Sequence, residues 1–200
     1  MKENKKVSLF LNSATKALQI GLLVGEEKRI IELPDPKKAL ESIHKGMDEL
    51  FRLTDTHLRD VDAFYLLLGP GSNTGIRLGL TIPRTVYAMN PKIELYGIGT
   101  LELMTETAPH AALSDRNGNL YYGTKENGKT TFVRVDKEDI TSLPKEEIAV
   151  EEKDTVAREE LSSYPVRPLD ILILMMAKKD AFRDYSLDEE NYLPEYLLKI

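Results

Sequence analysis

The sequence predicts an α/β protein of two lobes, the second smaller than the first. Three observations lead there. Apolar runs and amphipathic stretches alternate regularly up to residue 107. The texture then changes to short strands punctuated by Asn-Gly pairs, so the division falls at 1–107 and 108–200, with the C-terminal tail expected to return to the first lobe. A glycine-rich turn at 69–75 joins an apolar strand to a helix.

The first third reads as three strands, 6–11, 16–24 and 28–33, rich in Val, Ile and Leu and separated by Asn12-Ser13-Ala14-Thr15 and Gly25-Glu26. Such spacing predicts an antiparallel meander. Pro34-Asp35-Pro36 ends it, and Pro36 suits the first turn of a helix. Leu40, Ile43, Met47, Leu50 and Phe51 then form one apolar stripe at helical spacing. Residues 61–68 are a nearly unbroken apolar run, the pattern of a buried parallel strand. Ser72 or Asn73 can cap a second helix over 74–89, which Asn90-Pro91 stops. A strand at 92–98 and a short helix at 100–107 follow. The order β-β-β-α-β-α-β-α is that of a ribonuclease-H-like or actin-like lobe; simple Rossmann domains open βαβ instead.

Beyond Pro109, strands are expected at 111–114, 120–125 and 129–135, with Asn117-Gly118 and Asn127-Gly128 as hairpin signals. Residues 136–156 read as loop and short strand. Pro165 and Pro168 lead into a helix from Leu169 to about Tyr185, apolar on most sides in its first half and so expected to be the buried helix of the second lobe.

Composition narrows the function classes. The 200 residues are 42% hydrophobic and 30% charged, an ordinary globular mixture, and a chain this long buries roughly 70% of its unfolded surface. The absence of cysteine excludes disulfides, zinc–thiolate sites and thiol nucleophiles. A net charge of -6 gives no basic excess for holding bare nucleic acid by counterion release. The apolar run 7–11 is shorter than the ~7–15 residues of a signal-peptide core. The longest run, 171–177, is far below the ~18 that span a bilayer. No membrane contact and a cytoplasmic location are therefore expected.

Gly69, Pro70, Gly71, Ser72, Asn73, Thr74, Gly75 and Arg77 carry the most unusual pattern. Free N–H groups and the helix dipole at such a turn favour an anion, and glycines admit a phosphate to the backbone. No Gly-Lys-Ser/Thr follows, so it is not a Walker loop. The stretch reads either as an anion site or as a tight strand-to-helix turn with no ligand. Gly-x-Ser-x-Gly spacing is absent, which leaves Ser72 as a cap rather than a nucleophile.

The window Gly69-Pro70-Gly71-Ser72-Asn73-Thr74-Gly75-Ile76-Arg77-Leu78-Gly79-Leu80 resembles the G-P-G-S-F-T-G-x-R-x-G-x signature of the bacterial TsaB/YeaZ family. That family is Gcp-like and peptidase-M22-like, within the actin/Hsp70/sugar-kinase (ASKHA) superfamily. Leu9-Phe10-Leu11-Asn12-Ser13-Ala14-Thr15 resembles its L-x-I-D-T-S-T, Gly97-Ile98-Gly99-Thr100-Leu101-Glu102 its G-V-S-T-L-E, and 115–122 its D-A-R-x-x-E-V-Y-Y. Pro194-Glu195-Tyr196-Leu197 resembles its closing P-x-Y-L-R. The resemblance implies an ASKHA-like fold and a part in making threonylcarbamoyladenosine in tRNA. It implies a non-catalytic scaffold subunit that needs no cofactor of its own. The implied partners are a larger threonylcarbamoyl-transferase paralogue of TsaD type and a small ATPase of TsaE type. It also implies a homodimer, formed through first-lobe helices when the chain is alone, and contact with tRNA only through the complex. A nucleotide, if bound, is expected at the partner interface.

Three positions depart from the pattern. Asn12 stands at the phosphate-site aspartate, and a neutral amide cannot hold a metal-bound phosphate by charge. Asn73 replaces an aromatic residue, and Pro83 falls inside the second helix, where it removes a hydrogen bond and is expected to kink it. His44, His57 and His110 are thirteen or more residues apart, so the His-x-x-x-His pair of the paralogue has no counterpart and no metal is expected. The candidates for the partner interface are Leu40, Ile43, Met47 and Leu50 on one helix and Ile76, Leu80, Val86 and Tyr87 on the other; the same stripes would equally serve to face the chain's own sheet. The competing classes are an ATP-dependent ASKHA enzyme, for which Asp62 and Asp115 would have to hold Mg²⁺, and an M22-type peptidase.

Overall fold

The computed structural model describes residues 5–33, 38–144, 147–161 and 163–184. The α/β class and the order of the first eight elements are as the sequence predicts. The three-strand meander is β1 (Val7–Asn12), β2 (Gln19–Val24) and β3 (Glu27–Glu32). Then come α1 (Ala39–Thr54), β4 (Ala63–Leu67), α2 (Asn73–Met89), β5 (Glu94–Ile98) and α3 (Thr100–Met104). The second half contains β6 (His110–Ser114), β7 (Leu120–Glu126), β8 (Lys129–Val135), β9 (Ile148–Glu151), α4 (Thr155–Glu160), β10 (Ser163–Val166), α5 (Pro168–Met175) and β11 (Arg183–Asp184).

Two sheets result. The first runs β11-β5-β4-β1-β2-β3, the second β10-β9-β6-β7-β8. In the first, β1 pairs antiparallel with β2 and parallel with β4, and β4 pairs parallel with β5. Every residue of β1 and β4 is buried, as strands covered on both faces must be. On one face, a Cβ on Gly46 of α1 would meet Leu33 and Ile20, and one on Gly79 of α2 would come near Leu11, so both helices lie close on the sheet. The opposite face carries an aromatic row. Phe10 stacks on Tyr65 at 4.9 Å and Tyr65 on Tyr96 at 5.0 Å.

That row corrects one sequence expectation. The helix beginning near Leu169 ends at Met175, not near Tyr185. The chain turns there because Phe182 is needed elsewhere: it packs edge-on against Tyr65 at 5.3 Å, and Arg183 and Asp184 pair with Gly97 and Tyr96 at the sheet's border. The same helix belongs with the first sheet and not with the second lobe. Gly21 of β2 leaves a gap in which Leu169 and Ile173 sit, 3.4 and 3.6 Å from where its Cβ would be.

Two further elements were unforeseen. α4 is six residues long, too short to show a stripe, and is capped by Asp154, whose carboxylate accepts from Ala157 N–H at 3.3 Å. β10 contains Pro165 and lies at a sheet edge, where a proline does not break a ladder. α2 continues as helix through the buried Pro83. Pro36, the closing 194–197 motif and the C-terminal tail lie outside the described residues. Among the described residues, no helix is long and apolar enough to cross a membrane.

Replacing Phe182 with Ala should release β11 and lower the stability of the first sheet by about 3 kcal/mol, the usual cost of an emptied aromatic site. Denaturant unfolding measures it; an unchanged midpoint would mean the chain end is not anchored there.

Candidate functional site

The glycine turn is built by contact with the β1–β2 turn. Ser72 caps α2, its hydroxyl accepting from Gly75 N–H at 3.2 Å. Ser72 N–H donates to Ala14 C=O at 2.7 Å, and Ser13 Oγ donates to Gly75 C=O at 2.8 Å. The glycines are what let these backbones meet. A Cβ on Gly71 would fall 2.1 Å from Ala14 O, and one on Gly75 only 1.7 Å from Ser13 O. Gly69 and Pro70, joined by a cis peptide, are buried beneath. Thr74 and Arg77 are exposed, as is Asn73.

At Gly71 and Gly75 the closest groups are carbonyl oxygens, which repel an anion. The Cβ sides of Gly71 and Gly75 are thus taken up by close backbone packing.

Asn12 is fully buried at the base of the same turn. Its Nδ2 donates to Thr15 Oγ1 at 2.8 Å and reaches Gln19 Oε1 at 3.5 Å, while its Oδ1 accepts from Thr15 N–H at 3.3 Å. Residues 16–17 are held from the other lobe. Glu151 of β9, fully buried, accepts from Lys16 N–H at 3.2 Å and Ala17 N–H at 3.0 Å. Burial pushes its carboxyl up to about 7 against the pull of those donors, and the neighbouring Asp154 adds to the rise. Asp154, also buried, accepts from Ser114 N–H and Oγ, both at 2.6 Å. Sequence reasoning missed both carboxylates. Their signal was an acidic residue closing the apolar strand 148–150 and a helix cap three residues later.

Asp62 and Asp115 are not brought together as a magnesium pair. Asp62, before β4 of the first sheet, accepts from Val7 N–H at 2.8 Å. Asp115 closes the β6–β7 turn of the second sheet by accepting from Asn117 and Asn119 N–H; burial pushes its carboxyl up, but the Asn119 side-chain amide, these N–H groups and Arg134 together hold it below the usual range.

The interface expectation needs correction. Ile43, Leu50, Ile76 and Leu80 are buried in the first sheet's core with no surface left for a partner, and Met47, buried with them, shows only 5% of its surface, at the groove along α1. The sheet needs one apolar face from each helix, and these stripes supply it. Leu40 is 52% exposed, and Val86 and Tyr87 are half-buried. A groove of about 510 Å³ lies along α1 and the segment after it, lined by His44, Phe51, Arg52, His57 and Leu58 among others. His44 and His57 are exposed and line that same groove, while His110 stacks on Tyr122 at 5.5 Å.

Two predictions test this geometry. Gly75→Ala should cost about 3 kcal/mol or more, because the new methyl must displace a backbone carbonyl; a variant as stable as the parent in urea would refute the interlock. Glu151 binds its proton more tightly folded than unfolded, so the folded state holds the extra proton between pH 4.5 and about 7 and stability falls as pH rises through that window. Parent minus Glu151→Gln stability should therefore drop by ~3 kcal/mol from pH 4.5 to 8, at ~1.4 kcal/mol per unit. Parallel curves for the two proteins would show that the carboxyl does not titrate there.

Comparison with known proteins gives the same picture. A family model described as TsaD, tRNA N6-adenosine threonylcarbamoyltransferase, matches residues 36–184. An uncharacterized MG208 homologue of Mycoplasma pneumoniae is 31% identical over 101 residues, 49% of this chain and 52% of that protein. The tRNA threonylcarbamoyladenosine biosynthesis protein TsaB of Escherichia coli K12 is 29% identical over 132 residues, 60% of this chain and 56% of that protein. The chain thus spans about half the length of the curated relatives it matches. The solved structure of YeaZ from Pseudomonas aeruginosa shares the fold, with a TM-score of 0.66 at 17% identity over 94% of this chain and 98% of that one. The chain belongs to the family of the matched model, TsaD, tRNA N6-adenosine threonylcarbamoyltransferase.

Proposed function

We propose that this chain is a non-catalytic scaffold subunit in the synthesis of threonylcarbamoyladenosine at adenosine 37 of tRNA. It binds and stabilises a larger TsaD-type threonylcarbamoyl-transferase paralogue, alongside a small TsaE-type ATPase. It pairs with itself when alone, and it meets tRNA only through the assembly. The observation that carries this reading is the glycine turn. In a chain of this family, the glycines of the motif are occupied by Ser13 and Ala14 of its own backbone. A net charge of -6 supports the assignment of tRNA contact to partners. The chain itself requires no cofactor, and a nucleotide, where one binds, sits at the seam with the paralogue.

The surface for that partner is what α1 and α2 leave outside: Leu40, the half-buried Val86 and Tyr87, and the groove along α1. Leu40→Glu should weaken copurification with the TsaD-type paralogue at least tenfold while leaving the melting temperature within about 2 °C, since Leu40 is 52% exposed. Met47→Glu should instead unfold the chain, because its carboxylate would enter the core unpaired. Removing the chain from its host should lower threonylcarbamoyladenosine in tRNA, read by nucleoside mass spectrometry. Unchanged modification would end the proposal.

A further inference from the structure

Two asparagines, Asn117 and Asn127, are followed by glycine. Glycine has no side chain to shield its own backbone nitrogen. That nitrogen can close a five-membered ring on the side-chain carbonyl of the asparagine before it. The two pairs differ in how that nitrogen is held. The 115–119 turn is tied across: Asp115 Oδ1 accepts from Asn117 N–H at 2.7 Å and Asn119 N–H at 3.0 Å, and Gly118 N–H donates to Asp115 C=O at 3.5 Å. The Asp115 carboxylate in that turn also disfavours negative charge on a neighbouring amide. At the tip of the β7–β8 hairpin, Asn127 and Gly128 are both exposed. Among the described residues, the Gly128 N–H has no hydrogen-bond partner. A Cβ on either glycine would meet nothing within 4 Å, so room does not distinguish the pairs; the bonding of the nitrogen does.

The chemistry open to such a pair needs only water. Hydroxide takes the Gly128 amide proton, and the nitrogen attacks Cγ of Asn127. The N–Cγ bond forms, the Cγ–Nδ2 bond breaks, and Nδ2 leaves as ammonia with a proton from water. Water then opens the resulting succinimide at one of its two carbonyls. Breaking the bond from nitrogen to Cγ gives aspartate. Breaking the bond from nitrogen to the main-chain carbonyl carbon gives isoaspartate, with the chain now running through Cβ and Cγ. The hairpin sets how much must move. Asn127 and Gly128 have φ of 49° and 78°, the left-handed pair that closes a two-residue turn. Ring closure turns the Asn127 carbonyl out of that geometry, so the Glu126–Lys129 pair has to part first. The next pair, Lys125–Thr130, is backed by the bond between the hydroxyls of Thr130 and Thr105 at 2.8 Å, and the opening stops there.

We propose that Asn127 is a site of spontaneous deamidation, which converts the tip of the β7–β8 hairpin to isoaspartate and aspartate. The isoaspartyl form lengthens the main chain by one methylene inside a two-residue turn, so the Glu126–Lys129 pair no longer closes. Either product adds one negative charge to a chain whose net charge is -6. The site lies on the second sheet, away from the helices that the functional reading uses, and does not depend on that reading.

The full chain is held in buffer and sampled over days, and peptide mapping by mass spectrometry with electron-transfer fragmentation follows the exchange of NH₂ for OH at both pairs. Position 127 should convert at least tenfold faster than position 117, with isoaspartate exceeding aspartate. The rate should rise roughly tenfold per pH unit between about pH 6 and about pH 8, as the deprotonated amide does. Labelling by an isoaspartyl methyltransferase should mark the aged parent and leave aged Asn127→Gly near the level of fresh protein; glycine keeps the positive φ that the turn requires. Conversion at 117 as fast as at 127 overturns the proposal. So does methyl labelling that survives Asn127→Gly, or aspartate formed without isoaspartate, which would mean direct hydrolysis with no ring. A chain that stays unconverted at 127 while a synthetic peptide of residues 122–132 has converted overturns it as well. Should Asn127→Gly fail to fold, the ratio of 127 to 117 in the parent decides.

Discussion

The turn between β1 and β2 is gripped from two sides, and the arrangement of the molecule depends on that grip. From the first lobe, Gly71 and Gly75 admit the carbonyls of Ala14 and Ser13 to distances that any side chain would forbid. From the second, Glu151 reaches the amides of Lys16 and Ala17. Burying a carboxyl is costly, and here the donors do not cancel the cost, so the group's affinity for its proton rises. A chain that tolerates this gains a polar fastening between sheets that apolar packing alone would leave free to slide. The same turn thereby sets the start of α2 and the position of β9 together.

Sequence patterns made the element order legible because the signals are local. Val, Ile and Leu runs, Asn-Gly pairs and the Ser72 cap each act within a few residues. Asn127-Gly128 became a hairpin turn with both residues at positive φ, as its composition demands. The errors were non-local. The length of α5 is set by where Phe182 must go, and its lobe by the space above Gly21, neither of which appears in the segment's own sequence.

The candidate site divides in the same way. Its location was legible as a glycine turn before a helix, but what fills it comes from residues about sixty positions earlier. The stripes of α1 and α2 were legible as apolar, but a stripe has the same spacing whether it faces a sheet or a partner. Burial resolves the question against the partner for Ile43, Leu50, Ile76 and Leu80.

Asn12 follows from the same fastening. Its amide gives as well as accepts: Nδ2 donates to Thr15 while Oδ1 receives the Thr15 amide. A carboxylate at this position could accept but not donate, and the bond to the Thr15 hydroxyl would have to reverse. It would also place a second buried acid on the turn that already receives Glu151, and two carboxyls in one dry site raise each other's affinity for protons. Neutrality at position 12 and a carboxyl at 151 are therefore one arrangement. The turn carries a single acidic group, aimed at its own backbone, and the glycines opposite are given over to packing. The hairpin is in this way the joint between the two sheets.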